Sequence, residues 1–304
     1  MTIEVRFTNP GFWNLVAAQE EKLLKDESLY YVLLDHAFSM KPIVRTDEEF
    51  FTETLKRKGK NMKVCVNGPF YDVDPPGKRD AFLGHDPIDP VETAILGKVV
   101  EDGRRIVGES KPRMFYFGQF KEPAIFPFGD ARDRHCKAPS GNGRGWSYHA
   151  GFGDPPESIN TRCAIGGAGP IIVGALRHGA GNIYKPGKTG PAKGDPGPAG
   201  RTNLIQRNNE TFKDADTKPK ATGKVFLASH SGRRKLLVGV QKHGDPPGQT
   251  YTELAWDLLN LGFDHAVFLD GSDSATLMFE GEIKVTPGEN KDETNILGIG
   301  FLRE

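Results

Sequence analysis

Near its C-terminus the chain reads Ala266-Val267-Phe268-Leu269-Asp270-Gly271-Ser272-Asp273-Ser274-Ala275-Thr276. Four consecutive apolar residues with β-branched and aromatic members predict a strand buried on both faces. Asp270-Gly271 halts it, since Asp-Gly is a common turn pair, and leaves a carboxylate at the strand's carboxyl end. Upstream, Thr250-Tyr251-Thr252-Glu253 is a capping box with Thr250 at the N-cap and Glu253 at N3. Leu254, Ala255, Leu258 and Leu259 then share one helical face, and Gly262 ends the helix. Downstream, Thr276 to Phe279 and Ile283 to Val285 form a hairpin over Glu280-Gly281, and Ile296 to Leu302 supplies a last strand.

The same patterns extend toward the N-terminus. Leu29 to Leu34, Met62 to Val66, Met114 to Phe117 and Val225 to Ala228 read as further strands. Thr46-Asp47 caps a helix running to about Gly59, and Ile95 to Val107 is a hairpin turned at Asp102-Gly103. Strands and helices alternate without a strict βαβ rhythm. The expected architecture is therefore α+β, a mixed β-sheet core with flanking helices, forming a single domain over 1–304. Two stretches rich in Gly and Pro, 126–160 and 178–222, are expected as loop insertions. The second contains a nearly collagenous run that is far too short for a triple helix.

Composition narrows the function classes. The 304 residues are 37% hydrophobic, enough to bury a sizeable core. Forty basic residues balance forty acidic ones, which argues against nucleic acid as partner. The longest apolar run is too short to span a bilayer, so no membrane partner is expected. Asn9, Pro10 and Asn14 interrupt the apolar N-terminal patch, so no leader is read there and a cytoplasmic or phage-associated location is expected. Three cysteines are too few for a disulfide scaffold.

Four segments place glycine and polar residues at or beside the ends of apolar strands: Asn67-Gly68-Pro69-Phe70, Gly166-Gly167-Ala168-Gly169-Pro170, Lys220-Ala221-Thr222-Gly223 and Asp270-Gly271-Ser272-Asp273-Ser274. Glycine lets main-chain N–H groups approach a ligand closely, and successive N–H groups form nests that suit anions. Taken together, the segments predict one site. Taken singly, each is an ordinary turn, and Asp270 or Asn67 would then merely shape it.

The order of these motifs resembles the phosphodiester glycosidase family. In this chain the family's motifs read Asn67-Gly68-Pro69-Phe70-Tyr71-Asp72, Gly166-Gly167-Ala168-Gly169-Pro170, and Leu254-Ala255 with Leu258-Leu259 leading to Leu269-Asp270-Gly271-Ser272-Asp273-Ser274-Ala275-Thr276. Ser272 and Asp273 stand where the family has glycines, and Lys220 stands where it has arginine. The resemblance implies a hydrolase cleaving a sugar-1-phosphate linkage or a related glycosidic bond. Asp270 would be the leading carboxylate, as base, nucleophile or sugar-hydroxyl ligand, with Asp72 and Asp273 as candidates for a second one. Lys220 or Arg201, with the backbone at Gly166, Gly167 and Gly169, would hold phosphate. Asn67, Gly68, Gly271, Ser272 and Ser274 complete the expected contacts. His230, after the strand Val225 to Ala228, is a further acid/base candidate or a structural histidine. The expected ligand is a carbohydrate or sugar phosphate, and no cofactor is predicted. Asp270 with Asp273 leaves room for a divalent cation, although the segment matches no EF-hand pattern. Trp146, among Gly and Arg residues, is either core or a platform for a sugar ring. The alternative function is a non-catalytic carbohydrate- or phosphate-binding module, as in a phage or surface assembly.

Overall fold

Val32 and Leu34 face one apolar cluster while Leu33, between them, faces another. Val225 and Leu227 divide from Phe226 and Ala228 in the same way. That period-two alternation, apolar on both sides, is the mark of a sheet covered on both faces. The computed structural model describes residues 20–26, 29–45, 49–69, 71–73, 93–95, 97–108, 110, 115–121, 145–173, 176–177, 185–186, 201–202, 222–244, 248–249 and 251–304.

The chain begins with β1 (Leu23–Asp26), β2 (Leu29–Asp35), β3 (Phe38–Val44), α1 (Phe51–Lys58) and β4 (Val64–Asn67). Then come β5 (Tyr71–Val73), β6 (Thr93–Ile95), β7 (Val99–Glu101), β8 (Arg104–Val107), β9 (Phe115–Lys121), β10 (Trp146–Phe152) and β11 (Thr161–Val173). The short β12 (Leu176–Arg177), β13 (Lys185–Pro186) and β14 (Arg201–Thr202) precede β15 (Lys224–His230), β16 (Lys235–Gln241), α2 (Tyr251–Asn260) and β17 (His265–Phe268). The last elements are β18 (Leu277–Phe279), β19 (Glu282–Val285), α3 (Glu289–Thr294) and β20 (Leu297–Arg303).

An 11-stranded sheet runs β1-β2-β16-β15-β17-β11-β7-β8, with β9 and β12 also paired to β11 and β10 to β9. A 5-stranded sheet runs β19-β18-β4-β20-β3. The main core lies between them, with Val225, Leu227 and Val267 from the first sheet packed with Val66, Leu277 and Ile299 from the second. On the first sheet's outer face, Leu254, Ala255 and Leu258 of α2 cover Phe226, Ala228 and Phe268. Phe51 and Leu55 of α1 cover Ile43, Cys65 and Met278 on the outer face of the second. The result is sheet-dominated, with a helix on each outside. Among the described residues, no helix is long and apolar enough to cross a membrane.

Several expectations change. The sheet was expected to be mixed, yet every pairing among the described strands is antiparallel. Tight hairpins such as β15–β16 and β18–β19 need no crossover helix, which parallel pairing would require. The expected insertion 126–160 contains β10 and the connection to β11. Ser147 and His149 disguise β10, because they are buried polar residues satisfied by their own 2.6 Å hydrogen bond. Gly166-Gly167 was read as a turn but lies inside the 13-residue β11, where the register with β9 shifts between Ile165 and Ala168. The Thr46-Asp47 cap and the N-cap Thr250 fall outside the described residues. The start of α1 is held from far along the chain: Asp292 accepts hydrogen bonds from Thr52 N (2.7 Å) and Thr52 Oγ1 (2.8 Å).

Two glycines fit under aromatic rings across the ladder. Gly169 pairs with Phe268 and Gly239 with Phe226. A Cβ on either would lie 2.0 Å and 2.1 Å, respectively, from the ring's Cζ. Gly169→Ala should therefore destabilise the fold by about 1–3 kcal/mol through overpacking, read by denaturant unfolding, and Gly239→Ala should cost a similar amount.

Candidate functional site

β17 ends at Phe268, and Leu269 still belongs to the ladder through its N–H to Val225 O at 2.8 Å. Asp270 is the first residue beyond it, and residues 270–276 carry the chain from the first sheet to β18 in the second. Asn67, 1% exposed at the end of β4, clamps both ends of this passage. Its Nδ2 donates to Asp270 O (2.8 Å), and its Oδ1 accepts from Thr276 N (2.9 Å). Asp270 N donates to Gly68 O at 3.1 Å. The carboxamide expected to meet a sugar is thus committed to the backbone, and Asn67 acts as a clamp on the turn.

Inside the turn, Ser272–Ser274 form one turn of 3₁₀ helix. Ser272 N donates to Gly223 O at 2.7 Å, tying the turn to the start of β15. A Cβ on Gly271 would come within 2.6 Å of Gly223 O, and one on Gly223 within 2.0 Å of Ser272 O. Glycine at both positions lets the two backbones touch. Ser272 has φ +56°, a left-handed conformation that suits the glycine expected there by resemblance. Asp273 O accepts from Gly288 N (2.8 Å), and Ser274 O accepts from Asn295 Nδ2 (3.2 Å).

The Asp270 carboxyl is raised from 3.8 to about 6, chiefly by burial. A hydrogen bond from Ser274, the charge of Lys291 and the Gly271 N–H oppose that rise, while Asp273 adds to it. Two neighbours were not singled out in the sequence as site residues. Lys224, 2% exposed at the start of β15, donates from Nζ to Thr222 O at 2.8 Å and sits 5.6 Å from the centre of the Tyr251 ring. Burial lowers its ammonium to about 7, against the opposing charge of Glu253. Tyr251, 4% exposed at the head of α2, has its phenol raised by burial and by the charge of Asp270. A lysine opening an apolar strand after glycine was the available signal for Lys224, but it reads equally as a solvated boundary.

Three of the four segments therefore meet: Asn67-Gly68, Thr222-Gly223 and Asp270 to Ser274. Gly167 lies two residues before Gly169, whose pairing with Phe268 is the last of the β11–β17 ladder on that side. Gly167 has φ +74° and packs against Gly97. Gly166 N already donates to Lys98 O at 2.8 Å, and Gly169 lies under the Phe268 ring, so both serve the sheet. His230 does not join them. β15 pairs with β17 so that Ser229 lies opposite His265, and His230 ends the strand about 20 Å from Lys224. Its Nδ1 accepts from Arg233 N at 3.2 Å. Asp72 occupies β5 opposite Ala94, and Arg201 occupies β14 opposite Pro186. Their side chains, and all of Lys220, lie outside the described residues. Among the described residues, no group of three His, Cys, Asp or Glu side chains gathers to hold a metal.

No protein-family model matches the chain, and no curated protein sequence does. Solved structures resemble it weakly. The "Putative exported protein" of Burkholderia pseudomallei K96243 is 11% identical, with 90% of this chain and 73% of that one covered and a TM-score of 0.51. The catalytic domain of zebrafish N-acetylglucosamine-1-phosphodiester alpha-N-acetylglucosaminidase, auto-inhibited by its pro-peptide, is 15% identical, with 93% and 81% covered and a TM-score of 0.48. A hypothetical protein from Synechocystis is 12% identical, with 93% and 61% covered and a TM-score of 0.45. The first of these shows a shared fold.

Two outcomes test the geometry. Asn67→Ala should destabilise the protein by about 2–4 kcal/mol, because it orphans a buried N–H and a buried carbonyl, read by denaturant unfolding. For Asp270, the folded state holds its proton more tightly than the unfolded one. Wild-type stability should then fall as pH rises from about 3.8 to 6 and level off above. Asp270→Asn removes that slope and should unfold later at pH 7, by up to about 3 kcal/mol, in paired denaturation curves across pH.

Proposed function

We propose that the chain is a hydrolase cleaving a glycosyl phosphodiester, the bond between a sugar's anomeric carbon and phosphate. The observation that carries this reading is one buried turn presenting a carboxyl raised to about 6, held by hydrogen bonds to the start of the strand that opens with a lysine lowered to about 7, and Tyr251 is near each of the two groups. Such opposed shifts characterise sites built for chemistry near neutral pH. The order of the motifs supports the same reading.

In this reading ionised Asp270 takes the proton from a water whose oxygen attacks the anomeric carbon. The bond from that carbon to the phosphate oxygen breaks, and its electron pair leaves with the phosphate. A phosphate leaving group is already acidic, so charge stabilisation matters more than protonation. The Lys224 ammonium supplies that charge, in place of the arginine expected from the family pattern or of Lys220 and Arg201. Low dielectric around Lys224 makes its interaction with an anion stronger than at the surface. Ser274 and the Gly271 N–H hold the Asp270 carboxylate in orientation, and Asn67 fixes the turn that carries it.

Asp270→Asn should abolish sugar release from a model sugar-1-phosphodiester without lowering thermal stability. Lys224→Met should do the same, since a neutral side chain of similar length avoids the desolvation of a buried charge. The wild-type kcat/KM profile should rise with pH through about 6, as Asp270 ionises, and decline above about 7, as Lys224 loses its proton. Saturable binding with no turnover across a substrate panel would reject the hydrolase and support a binding module.

A further inference from the structure

Tyr251 opens α2, and its ring lies 4.4 Å from that of Phe268 in the apolar cluster shared with Leu254, Ala255 and Leu258. That packing accounts for an aromatic ring and leaves the hydroxyl unexplained, since phenylalanine would fill the same space. Tyr251 is 4% exposed, yet its hydroxyl makes no hydrogen bond among the described residues. Burial and the charge of Asp270 are the two influences on the phenol. A buried hydroxyl in that state costs stability, and in a native protein it calls for a reason.

Three observations set the hydroxyl at the Asp270 turn. A Cβ on Gly271 would lie 3.5 Å from the Tyr251 hydroxyl oxygen, so glycine leaves the approach to it free of a side chain. The Asp270 carboxylate is close enough to act on the phenol, and Lys224 Nζ sits over the ring of the same residue. Asp270 retains partial exposure, which opens the turn to solvent. One residue thus stands near both groups to which the hydrolase reading gives a role, with a donor to spare.

We propose that Tyr251 is a further substrate contact of this site, its hydroxyl donating a hydrogen bond to a phosphate oxygen of the glycosyl phosphodiester. The inference rests on the hydrolase reading and adds one group to it. Phosphate is assigned rather than sugar because Lys224, which meets the phosphate in that reading, lies over the Tyr251 ring. No proton is transferred. Burial and the Asp270 carboxylate hold the phenol well above its ordinary range, so it keeps its proton wherever Asp270 and Lys224 titrate. A neutral donor fixed in place before reaction stabilises the charge that arrives on the departing phosphate without having to reorganise.

Two measurements on the full chain, comparing wild type with Tyr251→Phe, test this: kinetics on a model sugar-1-phosphodiester, and calorimetric binding of a non-hydrolysable sugar C-phosphonate ester. The variant should lower kcat/KM about a hundredfold and affinity for the phosphonate about tenfold, since the contact strengthens as charge develops. Its thermal unfolding should not fall, because the ring stays and only an unbonded hydroxyl is lost. The limbs of the pH profile at about 6 and about 7 should keep their places, since a phenylalanine ring still covers Lys224. A fall in either rate or affinity with the limbs in place upholds the contact. Unchanged rate together with unchanged affinity would overturn it and leave the hydrolase reading standing. Displaced limbs would also overturn it, because the hydroxyl would then act through Asp270 or Lys224. If wild-type protein binds the phosphonate without turnover of the diester, the hydrolase reading fails, and weaker binding by Tyr251→Phe still upholds the contact. Neither binding nor turnover by wild type would overturn both.

Discussion

Because β17 belongs to one sheet and β18 to the other, residues 270–276 must cross between two packed layers, and the Asn67 carboxamide fixes that crossing. Polar backbone buried in such a gap has to be satisfied, or each orphan costs about 1–3 kcal/mol. One side chain here serves a carbonyl at the start of the passage and an N–H at its end. Gly68 O, Gly223 O and Asn295 Nδ2 satisfy groups between those points. The turn is therefore held by distant chain segments from both sheets, and its geometry depends on the sandwich being complete. Loops held in this way are rigid enough to position a carboxylate.

The same enclosure explains the titration of the two charged groups. Asp270 and Lys224 are each disfavoured in their charged form by burial, so their shifts run in opposite directions and converge near neutrality. Ser272 adds backbone strain in the same turn. A fold optimised only for stability would place neutral residues at 224 and 270 and glycine at 272. That these costs are concentrated at one strand end argues for a functional reason.

What the sequence revealed depended on how completely each segment obeys one pattern. Leu29 to Leu34, Val225 to Ala228 and Ala266 to Leu269 are apolar on both faces, so their strands were legible without partners. Trp146 to Phe152 was not, because Ser147 and His149 satisfy each other, and His149 also meets His265, inside the protein. The glycines of β11 suggested a ligand nest, whereas Gly169 exists to admit the ring of Phe268. Asn67 was found as a residue but not as a clamp, since a carboxamide before glycine looks the same whether it faces solvent or backbone. Lys224 required knowing what buries it.

β15 links the two ends of the first sheet, with Lys224 at one terminus and His230 leading into the Arg233–Lys235 turn at the other. Between them Val225, Leu227 and the side chains opposite are close-packed, and interiors of that density do not deform continuously. Perturbations at sites separated by about 20 Å of rigid strand are expected to add rather than couple, unless an element with two discrete arrangements connects them. The ladder of β2, β16, β15 and β17 is continuous and both its faces are covered, so it offers no such element along its length. Communication between the turn at Asp270–Ser274 and the turn at Ser231–Arg234 would therefore have to bypass this ladder, and the strand that joins them serves as a spacer.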